Sequence, residues 1–189
     1  MTKLPIKNMV CRHCMEAVLG VFREMDLEIS AIRLGEATVV ADASAIDFPT
    51  LRERLENRGF ALIEDREIQI VEQIKTAVIS LIHHAGAMPE VKNSVYLSEK
   101  IGISYAYLSK LFSSHEGVTI ERYIILQKIE KAKELLSYGE KSLSEIAYDM
   151  GYSSVQHLSS QFKSVTGMSV TEYKQLEIKP RTALNEVEG

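Results

Sequence analysis

One local pattern occurs twice in this chain, and the doubling leaves few folds open. Residues 96–112 read YLSEKIGISYAYLSKLF, and residues 143–162 read LSEIAYDMGYSSVQHLSSQF. Each is a short apolar-periodic helix, then a glycine, then a serine, then a second amphipathic helix. In the first copy Leu97 and Ile101 precede Gly102, and Ser104 is placed to cap a helix carrying Leu108, Leu111 and Phe112. In the second, Ile146, Ala147 and Met150 precede Gly151, and Ser153 or Ser154 can cap a helix carrying Leu158 and Phe162. Glycine supplies the left-handed backbone of a short helix-to-helix corner. Serine satisfies the free N–H groups of the helix that follows. A tight two-helix corner of this kind is the helix-turn-helix unit, whose second helix fits a DNA major groove.

The segment between the copies is one uninterrupted helical pattern, Thr119 to Ser137. Ile120, Tyr123, Ile124, Leu126, Ile129, Ala132, Leu135 and Leu136 fall at three- and four-residue steps. Such a helix spans roughly 28 Å. Successive major-groove faces on one side of a duplex lie about 34 Å apart. One polypeptide can therefore present two recognition helices to adjacent grooves without dimerising.

Residues from about 68 to 176 resemble the DNA-binding domain of AraC-type transcription regulators. The resemblance rests on "KAKELL", on "SLSEIAYDMGYSSVQHLSSQFKSVTGMSVTEYK" and, in the first copy, on "YLSKLFSSHEG". It implies an all-α domain in which a long central helix joins two helix-turn-helix units that bind double-stranded DNA. By the same alignment, the base-edge candidates are Ala106, Ser109 and Lys110 in the first unit and Val155, Gln156, Ser159 and Ser160 in the second. An amide can bond adenine bidentately, which favours Gln156 among them. One departure stands out. Where the family commonly has an aromatic pair and a later arginine, this chain has His157, Leu158 and Ser160. The second unit is thereby expected to lean on docking and backbone contact. Lys110, Lys128, Lys131, Lys133, Lys141 and Lys163 are the candidates for a basic face.

Before residue 65 the pattern differs. A strand is expected at Leu4–Met9, and a helix stripe at Val18, Leu19, Phe22 and Met25. Alternation over Glu28–Leu34 points Ile29, Ala31 and Leu34 one way, and a β-branched run follows at Ala37–Ala41. Asp47 or Thr50 starts a helix with Phe48, Leu51 and Leu55 on one face. Gly59 ends it, and Phe60–Ile63 is the last strand. The order βαββαβ is the ferredoxin-like split fold. The fold class expected is thus an α+β ferredoxin-like domain followed by an all-α domain with two helix-turn-helix units.

Cys11 and Cys14, the two cysteines of the chain, sit where the first strand enters the first helix. Both thiols can converge at a helix N-terminus, a setting that lowers thiol pKa. Soft thiolates favour cuprous ion, zinc and similar metals. Residues 3–64, through Met9-x-Cys11-x-x-Cys14 and an aromatic at Phe60, resemble the heavy-metal-associated domain of copper chaperones and metal-pumping ATPases. That resemblance implies a metal site at Cys11 and Cys14. Two other readings stay open: a redox dithiol, and a ligand-free domain used for dimerisation. His13 is expected to face solvent. His83 and His84 are expected to act as cationic caps at a helix end.

A net charge of −4 argues against a nonspecific basic patch and leaves DNA binding open, because the local field governs contact. No apolar run approaches the ~20 residues of a membrane span. No catalytic constellation is legible, so an enzyme is not expected. The domains expected are 1–66, heavy-metal-associated-like; 67–176, AraC-type; and 177–189, a disordered tail rich in polar residues. The chain reads as a cytoplasmic, bacterial-type regulator that works with DNA, with the transcription machinery and, in one assembly, as a homodimer. The rival is a metal chaperone or thiol redox module whose helical domain binds protein.

Overall fold

The computed structural model describes residues 1–84 and 91–187. Contacts group the chain into two compact units, Met1–Thr76 and the part from Ala77 onward.

In the first unit the order is β1 (Thr2–Lys7), α1 (Arg12–Glu24), β2 (Ile29–Arg33), β3 (Glu36–Val39), a 3-10 turn at Ala43–Ala45, α2 (Phe48–Glu56) and β4 (Ala61–Leu62). The strands form one sheet in the order β2-β3-β1-β4, every neighbouring pair antiparallel. Leu4, Ile6, Ala37 and Val39 from the sheet close on Val18, Val21 and Phe22 of α1 and on Leu51 and Leu55 of α2. Strand alternation and helix periodicity place these residues on facing surfaces, so the core is the meeting of a period of two with a period of 3.6. At α2 the Asp47 carboxylate accepts from the Thr50 backbone N–H, and Pro49 occupies the first turn, where its missing donor costs nothing.

Two local expectations change. The strand expected at Leu4–Met9 runs instead from Thr2 to Lys7, because Asn8 adopts a left-handed backbone with φ 72° and ends it. Met9 is then buried as a loop residue. In β2 a bulge between Ile29 and Ala31 shifts the register, so Ile29 and Ile32 point inward and Ala31 is exposed. One extra residue reverses the face of everything beyond it. Simple alternation could not show that.

Helix α3 (Arg66–Ile79) follows. The carboxylate of Asp65 accepts from the N–H groups of Glu67 and Ile68, and so caps it. It widens into a π turn over Ser80–His84. The expected helix end at Ala85 lies outside the described residues.

The second unit continues with α4 (Asn93–Ile101), α5 (Tyr105–Glu116), α6 (Ile120–Tyr138), α7 (Leu143–Asp149), α8 (Val155–Thr166) and α9 (Val170–Gln175). Thr119 caps α6 by accepting from Arg122 N–H. Ser142 and Ser169 each form a reciprocal capping box, with Glu145 and Glu172. Around the first corner Leu97, Leu108 and Phe112 are fully buried, and the Phe112 ring tilts against Tyr123 at 5.4 Å. Around the second, Ile129, Ala132, Ile146, Leu158, Phe162 and Tyr173 form one cluster. Helix α6 contributes to both, which explains why its buried residues run nearly all round it.

Residues after α9 depart from the disorder expected of them. The segment up to Val187 lies against α6 and α9: Tyr173 OH donates to Pro180 O, Gln127 Nε2 donates to Leu184 O, and Val187 is buried. Polar composition alone misjudged a segment whose backbone groups have specific partners on the helix beside it.

Candidate nucleic-acid interface and thiol pair

Both corners are built from the same parts. Gly102 ends α4 with φ 78°, and Gly151 turns the second corner with φ 66°. In each case the left-handed backbone strains any residue with a Cβ. Ser104 and Ser154 are the N-caps of α5 and α8. Ser154 uses its hydroxyl, accepting from His157 N–H at 3.1 Å. Ser104 stands at the cap with no side-chain bond of this kind. Tyr105 donates a short hydrogen bond to Glu121 and so ties the start of α5 to α6. That bond and burial together push the tyrosine hydroxyl well above its usual range.

The buried side of α5 is Leu108, Leu111 and Phe112. Its exposed stripe holds Ala106, Tyr107, Lys110 and Ser114, with Ser109 half-buried at the edge. The buried side of α8 is Leu158 and Phe162. Its exposed stripe holds Gln156, His157, Ser160 and Lys163, with Val155 and Ser159 half-buried. Of the seven base-edge candidates together with Lys163, Ala106, Lys110, Gln156, Ser160 and Lys163 are thus open to solvent on two outward helix faces. Tyr107 and His157 share these faces without having been candidates. Their signal was position alone: each follows a candidate residue in the first turn of its helix.

His157 is ordered by its neighbours. Its Nδ1 lies 3.3 Å from Ser153 Oγ, and its ring meets Tyr152 edge-on at 5.2 Å. Tyr152 donates to Gln161 Oε1 at 2.8 Å, and Lys128 Nζ sits 5.2 Å from the Tyr152 ring centre. Burial holds the Lys128 amine below the usual lysine range.

The basic face is smaller than expected. Lys133 is buried and ion-paired with Glu130. Lys131 pairs with Glu134 at 2.8 Å and Lys141 with Asp149 at 2.6 Å, while Lys128 lies against Tyr152. Lys110 and Lys163 remain as exposed cations on the outward stripes of α5 and α8. Sequence alone made all six candidates, but Lys131 and Lys133 each find a glutamate three residues away on α6, and Lys141 reaches Asp149.

His83 is likewise not a charged cap. Its Nε2 lies 3.0 Å from Gln127 Oε1, and burial pushes its pKa down to about 4. The ring is neutral near pH 7, with Nε2 as the donor, because an amide oxygen can only accept.

In the first unit, Cys11 is the N-cap of α1 and Cys14 lies on its first turn. The two Sγ atoms are 3.3 Å apart, both partly buried, beside the buried Met9. Phe60 belongs to the same apolar cluster, on which Cys14 packs. His13 is exposed, as expected. Burial raises the Cys14 thiol above its ordinary value, backbone N–H groups of Val10 and Cys11 opposing it in part. The lowering expected from the helix N-terminus is therefore outweighed at Cys14. Among the described residues no cluster of three or more His, Cys, Asp or Glu side chains suited to a metal ion occurs. The donor set is the two thiols alone.

Two helix-turn-helix corners, α4–α5 and α7–α8, are joined by the one long helix α6. Residues 97–176 match the family model described as a helix-turn-helix domain. A probable transcriptional regulator, LumQ, of Photobacterium leiognathi is 33% identical over 88 residues, which is 42% of this chain and 36% of that protein. The xylose operon regulatory protein of Escherichia coli (strain K12) is 33% identical over 115 residues, 60% of this chain and 29% of that one. The chain thus spans about a third of the length of these curated relatives. The C-terminal domain of AraT, a response regulator from Geobacillus stearothermophilus, superposes with a TM-score of 0.50 at 25% identity, covering 63% of this chain and 95% of that domain. No helix among the described residues is long and apolar enough to cross a membrane.

Proposed function

We propose that this chain is a sequence-specific transcription regulator that reads two adjacent major-groove segments with α5 and α8, and that a soft metal ion at Cys11 and Cys14 tunes its affinity. The observation that carries the DNA reading is the pair of outward stripes, Ala106–Lys110 and Gln156–Lys163, set on two corners that share α6. Lys110 and Lys163 supply phosphate contacts, and Gln156 an amide for adenine. The similarity to the probable transcriptional regulator LumQ and to the xylose operon regulatory protein favours the same reading.

The metal reading rests on the first unit. Its strand order and βαββαβ sequence suit a ferredoxin-like domain. Two sulfurs 3.3 Å apart at one helix start suit a two-coordinate cuprous ion after a small outward adjustment. Zinc in a structural site needs four ligands, more than this pair provides. The ion would supply a cross-link between the loop before α1 and its first turn.

The test is selection of bound duplexes from a random pool, with and without cuprous ion. An enriched operator whose affinity shifts with the metal supports both parts. An enriched operator indifferent to metal removes the sensor and leaves the DNA reading. No enrichment in either arm removes the DNA reading.

A further inference from the structure

The segment after α9 meets α6 at three points on one face. Arg181 Nη2 pairs with Glu134 Oε2 at 2.9 Å, Thr182 N–H donates to Glu130 Oε2 at 3.0 Å, and Gln127 Nε2 donates to Leu184 O at 3.0 Å. Partners advance along the segment while they recede along α6, at steps of four and three residues. The segment therefore runs antiparallel to the helix along a single stripe. Tyr173 of α9 fixes its start through Pro180 O, and the buried Val187 fixes its far end.

Gln127 is the junction. It is fully buried, and its amide is divided among three elements. Nε2 also donates to Tyr123 OH on α6, and Oε1 accepts from His83 at the end of the π turn. One side chain thus joins the segment, the central helix and the helical run that precedes the first corner.

We propose that residues 179–187 are a positioning strap: they tie α9 of the second corner to the middle of α6 and, through Gln127, to His83, and so hold the two recognition helices at one separation. The proposal rests on the DNA-binding reading above. If the strap lifts, Gln127 loses its bond to Leu184 O, Glu130 loses that from Thr182 N–H and Val187 loses its burial, so the docked state is preferred. Arg181, on the exposed rim, adds little. Beneath the segment lies a cavity of about 360 Å3, lined by Leu126, Val165, Met168 and Val187 among others. Glu130, Lys133, Thr166 and Tyr173, which also face it, are each already hydrogen-bonded within the protein. Pro180, Thr182, Glu186 and Val187 of the segment itself complete the lining, so the cavity is the seat of the strap. A fixed separation matters because the second helix then meets its groove as an intramolecular event, at an effective concentration that falls once the units swing freely.

The experiment compares the full chain with two variants, one ending after Leu176 and one carrying Val187→Asp. Hydrogen exchange is followed over residues 80–84 and 124–136 in the protein alone. Affinity is measured for the selected operator, for the same operator with two base pairs inserted between its segments, and for a single segment. The expected result is faster exchange in both stretches and about tenfold weaker binding to the native operator, as the effective concentration of the second helix falls. The penalty for the insertion should shrink, and binding to the single segment should be unchanged. Wild-type exchange in both variants, or an unchanged insertion penalty, overturns the strap. If the wild-type chain selects no operator, the DNA reading fails by itself, and the exchange comparison alone decides whether the strap holds α6.

Discussion

Gln127 Oε1 lies 3.0 Å from His83 Nε2; the amide oxygen can only accept, so Nε2 is the donor, while burial of the ring keeps it neutral. The pKa of about 4 set by burial lies below the unfolded value of about 6.5. Between these values the unfolded chain binds the extra proton, so stability rises with pH across this window and is lost as pH falls through it. The full linkage for such a shift is about 3 kcal/mol, an upper figure because solvent reaching the ring reduces it. Urea unfolding at pH 7, 6, 5 and 4.5 should show the loss. In His83→Gln the slope across this window should flatten, and equal slopes in both proteins would show that another group titrates.

Lys110 stands on α5 and Lys163 on α8, so their removal should act independently. Either lysine changed to alanine should weaken operator binding and lower the salt dependence by about one counterion. Gln156→Ala should cost about 1–3 kcal/mol at one A·T pair and little elsewhere. Filter binding on an operator panel at three salt concentrations measures all three. A protected region confined to one groove segment, with Gln156→Ala and Lys163→Ala silent, would remove α8 from the interface.

Cuprous ion bound at Cys11 and Cys14 should compete with protons. Burial raises the Cys14 thiol, so uptake should fall as the medium is acidified from pH 8 to 6. Equilibrium dialysis of the reduced protein should find one ion per chain, and none in the Cys11→Ser, Cys14→Ser double variant. Equal uptake by the double variant would place the metal elsewhere.

Gly102 has φ +78°, and a Cβ added there would meet nothing within 4 Å. The backbone conformation is then the whole cost of Gly102→Ala, about 1–2 kcal/mol. Thermal unfolding should show it as a lowered midpoint with operator contacts otherwise intact. A neutral substitution would mean that the corner relaxes out of the left-handed region.

The sequence by itself determined what depends on neighbours along the chain. Gly102 and Gly151 mark the corners, Thr119 and Ser154 mark helix starts, and the stripes of α5 and α8 separate Leu108 and Leu158 from Lys110 and Gln156. These are local rules, set by backbone geometry, capping and a period of 3.6. Tertiary structure decided what depends on residues far apart in the chain. It turned Lys133 from a surface cation into the buried partner of Glu130, and His83 from a charged cap into a neutral donor to Gln127, 44 residues away. It inserted the bulge that turned Ala31 outward, and it bound Leu184 to Gln127 across 57 residues of sequence. Whether a polar group is charged, paired or buried follows from the dielectric and the partners that folding brings to it, and no window of sequence contains them.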